Sequence, residues 1–477
     1  MTWVFPENHD REMGEVMSNH KQRVSSLLML ILLGTTQLSI QAAEPWRAGS
    51  AKVVITPQQL IWMSGYGSRD HVAEGKLTEL WAKALVLQDP LGNRAVLVTL
   101  DLVGIDRTLT AAISKSLDEE YGFQRRQIAL CTSHTHTGPV VGKNLGPLHY
   151  ERIAAAEQKK IDQYVIQLHK KVVDVVGEAI KQMVPSHLTW GSGHCEVAVN
   201  RRTNSEKNVP QLRQQGLLKG PFDHDVPVLA VRDLEGELQT VVFGYACHAT
   251  VLSFYRWSGD YPGFAQMALE KAHPGVEAMF FAGCGADQNP LPRRTVALAT
   301  SYGNRLAAAV EETLAGTVRP IEGTLATHYR EVPLPLDTLP STAEIKANLK
   351  SKSSYEAARA RWLLRDIEAG QPLQQHYPYP IATWKIGDTV DFVILGGEVV
   401  IDYALRIKEL DTKSTTHTNL WVAGYSNDVM AYIPSRRVLR EGGYEGGSSM
   451  VYYGLPAHWA PELEALILDA VKKQLQD

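Results

Sequence analysis

Six short apolar runs along the chain each end on a polar or ionisable residue. Ala95–Leu100 ends on Asp101, and Ile128–Cys131 leads through Thr132 into Ser133-His134-Thr135-His136. Val241–Cys247 stops at His248, and Ala278–Ala282 passes through Gly283-Cys284-Gly285-Ala286 to Asp287. Phe392–Leu395 turns at Gly396-Gly397 to Glu398, and Leu420–Ala423 reaches Gly424-Tyr425-Ser426-Asn427-Asp428. Such runs, bounded by glycine and polar residues, read as buried strands. Alternating with segments of helical spacing, they predict an α/β fold with a mixed, largely parallel sheet flanked by helices. Ligands and chemistry gather beyond the carboxyl ends of such strands, so six polar strand ends predict one assembled site.

Around these runs, Lys52–Thr56 and Leu80–Gln88 read as strands flanking the loop Trp62-Met63-Ser64-Gly65-Tyr66-Gly67-Ser68-Arg69. Helical spacing runs over Leu109–Tyr121, Ile153–Met183, Phe264–Ala272, Ala297–Gly316 and Pro461–Leu475. Residues 333–380 depart from the pattern. Proline-containing stretches there bracket a charged helical patch, Ala343–Glu368, without a buried-strand signal. This predicts a helical insertion, lying on the surface or capping the site. Polar strand ends stand on both sides of it, so one domain, residues 44–477, is expected to build the site.

Charge and composition narrow the classes. The formal net charge is −4, from 48 Lys and Arg against 52 Asp and Glu, with no block of like charge. That argues against nucleic acid as a partner, which needs a basic stripe. At 44% hydrophobic and 21% charged residues the chain has the make-up of a soluble globular protein. Its first 43 residues read as a leader. His20-Lys21-Gln22-Arg23 is basic, Leu27–Leu33 is apolar and too short to span a bilayer, and Ser39-Ile40-Gln41-Ala42-Ala43 offers small residues for cleavage. The polar residues before Met17 do not fit this layout, which makes Met13 or Met17 an alternative start. The expectation is an exported protein, periplasmic or secreted; an uncleaved leader would instead anchor it to a membrane. Export permits disulfides, yet Cys131, Cys247 and Cys284 close buried runs and no C-x-x-C pair occurs. The cysteines therefore read as small buried side chains rather than a framework or zinc thiolates.

Candidate chemistry begins at His134-Thr135-His136. On an extended backbone, side chains at i and i+2 share a face, which would bring two imidazoles into one pocket. Gly138-Pro139 fixes a turn directly afterwards. His248, taken alone, fits a hydrogen-bonded core residue as well as a ligand. Glu398 lies between Phe392–Leu395 and Val399-Val400-Ile401, and a carboxylate in apolar surroundings needs a cation or several donors. Two histidines and a glutamate form a usual catalytic zinc set that leaves a position for water, whose pKa zinc lowers toward neutrality. Arg201 and Arg202 read either as an anion or carbonyl clamp or as a solvated pair. Tyr432 and Tyr444 flank a glycine-dense tract, Gly442-Gly443-Tyr444-Glu445-Gly446-Gly447, which implies close backbone approach.

Together these phrases resemble the neutral, non-lysosomal ceramidase family. The resemblance rests on Thr132-Ser133-His134-Thr135-His136-Thr137-Gly138-Pro139, the His248 strand end, Asp287-Gln288-Asn289-Pro290, Gly396-Gly397-Glu398, and Tyr432 ahead of Tyr444-Glu445-Gly446-Gly447. Their order holds from about Gly49 to Ala457. The resemblance implies a zinc amidohydrolase that cleaves the N-acyl bond of ceramide to a fatty acid and sphingosine. It further implies zinc held by His134, His248, Glu398 and Tyr432, with His136, Arg201 and Tyr444 contacting substrate around the amide. Two departures stand out. Asn289 occupies the place of a serine in the family's G-D-x-S-P-N phrase; an amide cannot be a nucleophile but can donate to an oxyanion, so the chemistry is expected to run through zinc-activated water. The second departure is that the resemblance is expected to cover the catalytic domain only, without the C-terminal immunoglobulin-like domain of the animal and bacterial ceramidases.

Three functions follow from this reading. The first is hydrolysis of ceramide or a related N-acyl lipid, which implies peripheral contact with a membrane surface. The second is hydrolysis of another amide or ester, such as an acyl amino acid, an acylated sugar or a peptide, on the same fold. The third is non-catalytic lipid binding, against which an intact His/His/Glu set argues, because such groups are costly to bury without metal.

Overall fold

The computed structural model describes residues 45–410 and 419–476; the expected leader, residues 1–43, lies outside them. The larger sheet contains β1 (Trp46–Val54), β2 (Trp81–Gln88), β3 (Arg94–Leu100), β4 (Ile128–Thr132), β5 (Val184–His194), β6 (Asp225–Arg232), β7 (Leu238–Tyr245) and β8 (Glu277–Ala282). Across the sheet they run β8-β7-β6-β5-β1-β2-β3-β4, with the short strand Arg319–Pro320 beside β5. A second sheet, in the order β9-β10-β11-β12, is built from β9 (Leu325–Pro335), β10 (His376–Ile386), β11 (Val390–Leu395) and β12 (Asn419–Ala423). The longer helices are α1 (Arg107–Tyr121), α2 (Ala155–Lys181), α3 (Asp260–Ala272), α4 (Val296–Ala315), α5 (Thr342–Asn348), α6 (Ser354–Glu368), α7 (Ile401–Glu409) and α8 (Leu463–Gln474). Asp106 caps α1 by accepting from Leu109 N, and Gly122 ends it in the left-handed conformation.

The two sheets pack face to face with helices outside. Leu97, Cys131, Val242 and Met279 of the larger sheet share one core with Trp384, Phe392 and Trp421 of the second. Their strand neighbours Val96, Val98 and Leu100 point the other way, against Ile113, Leu117, Val172 and Val176 of α1 and α2. Val241 and Phe243 face α3 and α4, while Val393 and Leu395 face Ile407 of α7 and Ile467 of α8. Strands buried on both faces need apolar residues at consecutive positions, which is why these runs stand out in the sequence.

Within the two sheets three pairs are parallel: β3 with β4, β7 with β8, and β11 with β12. Each is a strand-helix-strand unit, closed by α1, α3 and α7 respectively. These six strands are the six apolar runs. The mixed α/β class holds, but the expectation of a largely parallel sheet needs correction, because the remaining pairings are antiparallel. The links β2–β3 through Asp89–Gly92, β6–β7 through Asp233–Gly236 and β10–β11 through Gly387 are short, and short links join only antiparallel strands.

The tail of β12 reaches both edges of the larger sheet. Gly283, just past β8, bridges Ala423, and Cys131 of β4 bridges Ser426. Gly424 N donates to Ala282 O at 3.0 Å and Asn427 N to Leu130 O at 2.7 Å. Strand ends from both sheets thereby converge on one region.

The insertion is narrower than residues 333–380. β9 pairs with β10 along its whole length, Leu325 opposite Ile386 through Pro335 opposite His376, so both ends of that span are strand. Pro333 and Pro335 lie on the edge strand, and Pro378 and Pro380 lie beyond the stretch where β10 pairs with β11, which begins at Ile381. Proline is tolerated at such positions, and there it hid the strands. Helices α5 and α6 remain as the insertion. All four cysteines are buried and free, and among the described residues no helix is long and apolar enough to cross a membrane.

Candidate metal centre and active site

β4 ends at Thr132, and His134 then adopts φ +58°. The H-x-H phrase therefore lies on a turn, not on the extended backbone that the sequence reading assumed. The turn nevertheless brings the imidazoles together: the rings of His134 and His136 meet edge-on with centroids 4.8 Å apart, and their Nε2 atoms are 3.1 Å apart. Gly65, at φ +95°, makes room for His136, since a Cβ there would stand 2.6 Å from the ring. His248 follows β7, with its backbone N donating to Gln288 O. Glu398 follows β11 through Gly397 at φ +73° and pairs in register with Tyr432.

Three groups converge. His134 Nε2 and His248 Nε2 each lie 3.2 Å from Glu398 Oε2. His134 Nδ1 donates to Val103 O at 2.6 Å, and His248 Nδ1 donates to Gly285 O at 2.7 Å. A carbonyl can only accept, so in the neutral imidazoles the proton sits on Nδ1 and both Nε2 lone pairs face the carboxylate. Glu398 is buried, and its Oε2 has no hydrogen-bond donor. Lone pairs assembled this way repel unless a cation sits among them. Tetrahedral bonds of about 2.0–2.1 Å place ligand atoms about 3.3 Å apart, close to the spacing found. The residues fit a metal ion, and anchoring of each Nδ1 by a backbone carbonyl is the usual support for metal-binding imidazoles. His136 belongs to the same cluster, as His134, His136 and His248 all present ligand atoms within 4.8 Å of one another.

The electrostatics agree. Burial pushes the His248 imidazole down to about 4, with Arg201 adding to the effect. Burial, then the neighbouring His134 and His248, hold His136 well below its ordinary range. Burial raises the Glu398 carboxyl, and only positive charge at His134 and His248 brings it well below the carboxylate range; with both Nε2 atoms unprotonated, that charge is left for a bound cation to supply.

Beside the cluster stands a polar group from four segments. Tyr432 OH lies 3.5 Å from His248 Nε2 and accepts from Arg201 NH2 at 3.2 Å. Arg201 NH1 donates to Asn289 Oδ1 at 3.3 Å, and Arg201 Nε donates to Glu445 Oε1 at 2.7 Å. Asn289 is buried on a short strand, Gln288–Pro290, paired with Ala198–Asn200. Tyr444 packs edge-on against Tyr432 and is 45% exposed, so it stands at the mouth. The structure thus gathers every predicted site residue. Arg202 is not a solvated partner of Arg201: it bonds Glu445 Oε2, Glu441 and Gly442 O, bracing the tract that carries Tyr444.

Not all six strand ends do chemistry. Asp101 accepts from Trp81 N, and Asp287 accepts from Ile401 N and Asn200 Nδ2, so both fasten loops. Three contributors escaped the sequence reading. Glu445 anchors Arg201 across 244 positions, Gly65 houses His136, and Tyr453 donates its hydroxyl to Glu398 Oε1. Glu445 lies in the glycine-dense tract and Gly65 in the loop between the first two predicted strands; nothing local marks Tyr453.

The family model for neutral/alkaline non-lysosomal ceramidase, N-terminal, matches residues 46–328. That span holds His134, His136, Arg201, His248 and Asn289 and stops before Glu398, Tyr432 and Tyr444. Neutral ceramidase 2 of Arabidopsis thaliana is 26% identical over 251 residues, 51% of this chain and 31% of that protein. The neutral ceramidase of Pseudomonas aeruginosa is 25% identical over 231 residues, 48% of this chain and 33% of that protein. These matches span about a third of each relative. The crystal structure of the Pseudomonas aeruginosa neutral ceramidase superposes with a TM-score of 0.69 at 19% identity, covering 90% of this chain and 74% of that one. A ceramidase complexed with C2 gives a TM-score of 0.70 at 18% identity. Similarity at that level establishes the fold.

Proposed function

This chain belongs to the neutral/alkaline non-lysosomal ceramidase family, and from that premise we propose that it is a zinc-dependent amidohydrolase cleaving the N-acyl bond of ceramide or a related N-acyl lipid. The observation that carries the reading is the convergence of two Nε2 lone pairs and an unpartnered carboxylate oxygen on one point, 3.2 Å apart. His134, His248 and Glu398 would hold the zinc, with Tyr432 as fourth ligand. When bound, zinc supplies Lewis-acid activation of water and of the scissile carbonyl.

The surrounding residues have separable tasks. Arg201, fixed by Glu445, presents a guanidinium toward the same space and binds the carbonyl side of the amide. Asn289 orients the substrate or donates to the oxyanion as charge develops. His136, kept neutral by burial, stands beside the metal ligands and hydrogen-bonds the substrate next to the amide. Tyr444 receives the substrate at the mouth. Export and peripheral contact with a lipid surface complete the proposal, export resting on the layout of residues 20–43.

Asn289, in place of the family's serine, favours a second reading: the same site acting on a different amide or ester. One experiment decides between them. The zinc-loaded protein is given ceramides, other N-acyl lipids, acyl amino acids and acylated sugars, and free amine or acid release is followed. Release from ceramide supports the first reading; release only from non-lipid substrates replaces it with the second.

A further inference from the structure

Glu398 has two carboxylate oxygens, and they face different neighbours. Oε2 faces His134 and His248, while Oε1 accepts the hydroxyl of Tyr453. Both side chains are buried. We infer that Tyr453 is the positioning residue of the metal centre: its hydroxyl occupies Oε1 and thereby aims Oε2 at the point where the two imidazoles meet. The inference deepens the zinc reading above and rests on it.

The local structure supports an aiming role. Tyr453 closes a one-turn helix, Met450–Tyr453, that ends at Gly454 with φ +82°. The insertion helix α6 clamps this segment on either side of Tyr453. The Tyr355 ring lies 5.1 Å from that of Tyr452, Trp362 sits where a Gly454 Cβ would come within 2.9 Å, and Arg359 donates to Pro456 O. Tyr453 also lines a cavity of about 370 Å³ together with Trp362, Leu363, Met430 and Leu455. The hydroxyl–carboxylate bond therefore fixes a core ring beside open space. Removing the partner would leave a buried oxygen unsatisfied and the carboxylate free to turn. Ligating carboxylates are themselves held by hydrogen bonds, whose loss costs roughly 10–100-fold in metal affinity or activity. The insertion thus acts on the metal centre through Tyr453.

Tyr453→Phe removes the hydroxyl and keeps the ring. Zinc affinity, read by competition with a chelating dye at pH 7, should weaken by roughly 10–100-fold, and kcat on the substrate identified should fall with KM nearly unchanged. Tyr164→Phe is the control, because it loses an equally buried hydroxyl bond, to Ile55 O at 2.8 Å, remote from the metal. That control should lose stability and keep zinc affinity. A folded Tyr453→Phe protein that binds zinc like the wild type overturns the inference alone. A wild type that binds no zinc overturns the metal reading, and the inference with it; turnover of some other substrate leaves the zinc comparison to decide. Should the phenylalanine variant fail to fold, 3-fluorotyrosine at position 453 keeps size and donor. Its fluorine resonance should shift on zinc addition, and an unmoved resonance overturns the inference.

Discussion

Replacing Gly65 by alanine separates the two roles that the neighbouring histidines are given. The new Cβ would stand 2.6 Å from both Cγ and Nδ1 of His136 and 2.9 Å from its Cβ. Ordinary contact begins near 3.4 Å, so the ring must retreat by about 0.8 Å. The backbone at residue 65 cannot yield easily. Gly65 N donates to His149 Nε2 at 3.1 Å, and Ser64 N donates to Gly138 O at 2.9 Å. A side chain at φ +95° adds strain of its own, so the combined stability cost is on the order of 2–3 kcal/mol. Displacement of a substrate-positioning group by about an ångström costs roughly 100-fold in rate, equivalent to about 2.7 kcal/mol of barrier. His134 and His248 stay anchored to Val103 O and Gly285 O, so metal binding should persist. The assay pairs amine release at saturating substrate, run well below the variant's melting temperature, with zinc per chain by elemental analysis. Expected are a kcat near one hundredth of wild type and an unchanged zinc content. Full turnover would refute a role for His136 at the substrate; loss of zinc would refute its separation from the ligands.

Further outcomes follow from the same geometry. His248→Ala should lose zinc while His136→Ala keeps it; equal zinc in wild type and His248→Ala would sink the ligand assignment. Asn289→Ala should turn over on the order of 100-fold more slowly with zinc retained, and Asn289→Ser should stay active; a covalent acyl-enzyme trapped during turnover would refute hydrolysis by activated water. For pH, His248 is held to about 4 by burial, against an ordinary 6.5. Between those values the unfolded chain binds a proton that the folded, metal-free protein refuses, so stability is complete above about pH 6.5 and declines as pH falls toward 4. At pH 5 the loss from this group is about 2 kcal/mol. Urea unfolding of the metal-free protein at pH 7.5 and pH 5 checks it, and coincident curves would contradict it.

The strands legible in the sequence were those buried on both faces. Val96–Leu100, Val241–Phe243 and Phe392–Leu395 carry core side chains toward sheet and helix alike, with Thr99, itself buried, the one polar residue among them. The hairpin strands were harder to read. β5 mixes the core residues Leu188 and Trp190 with exposed or half-exposed polar ones, and β9 is an edge strand with prolines. At the site, His134, His248 and Glu398 could be found because each is an ionisable group set in apolar chain. The two imidazoles of the H-x-H pair do meet in one pocket, but through the left-handed turn at His134 rather than through extended backbone. Tyr453 carries no such mark: a tyrosine beside another tyrosine in a one-turn helix gains its role only from a carboxylate 55 positions earlier.

The stitching of residues 423–427 to both edges of the larger sheet has a consequence for how the molecule comes into being. Cys131 and Ser426 meet across 295 positions, and the entropy of closing such loops must be met before those contacts return anything. The centre that joins His134, His248 and Glu398 can close only when the last of the three strand-helix-strand units has docked on the other two. A nascent or partly folded chain would carry isolated histidines of ordinary affinity. Tight metal capture would then mark the end of folding, and once bound the ion would hold distant thirds of the polypeptide together.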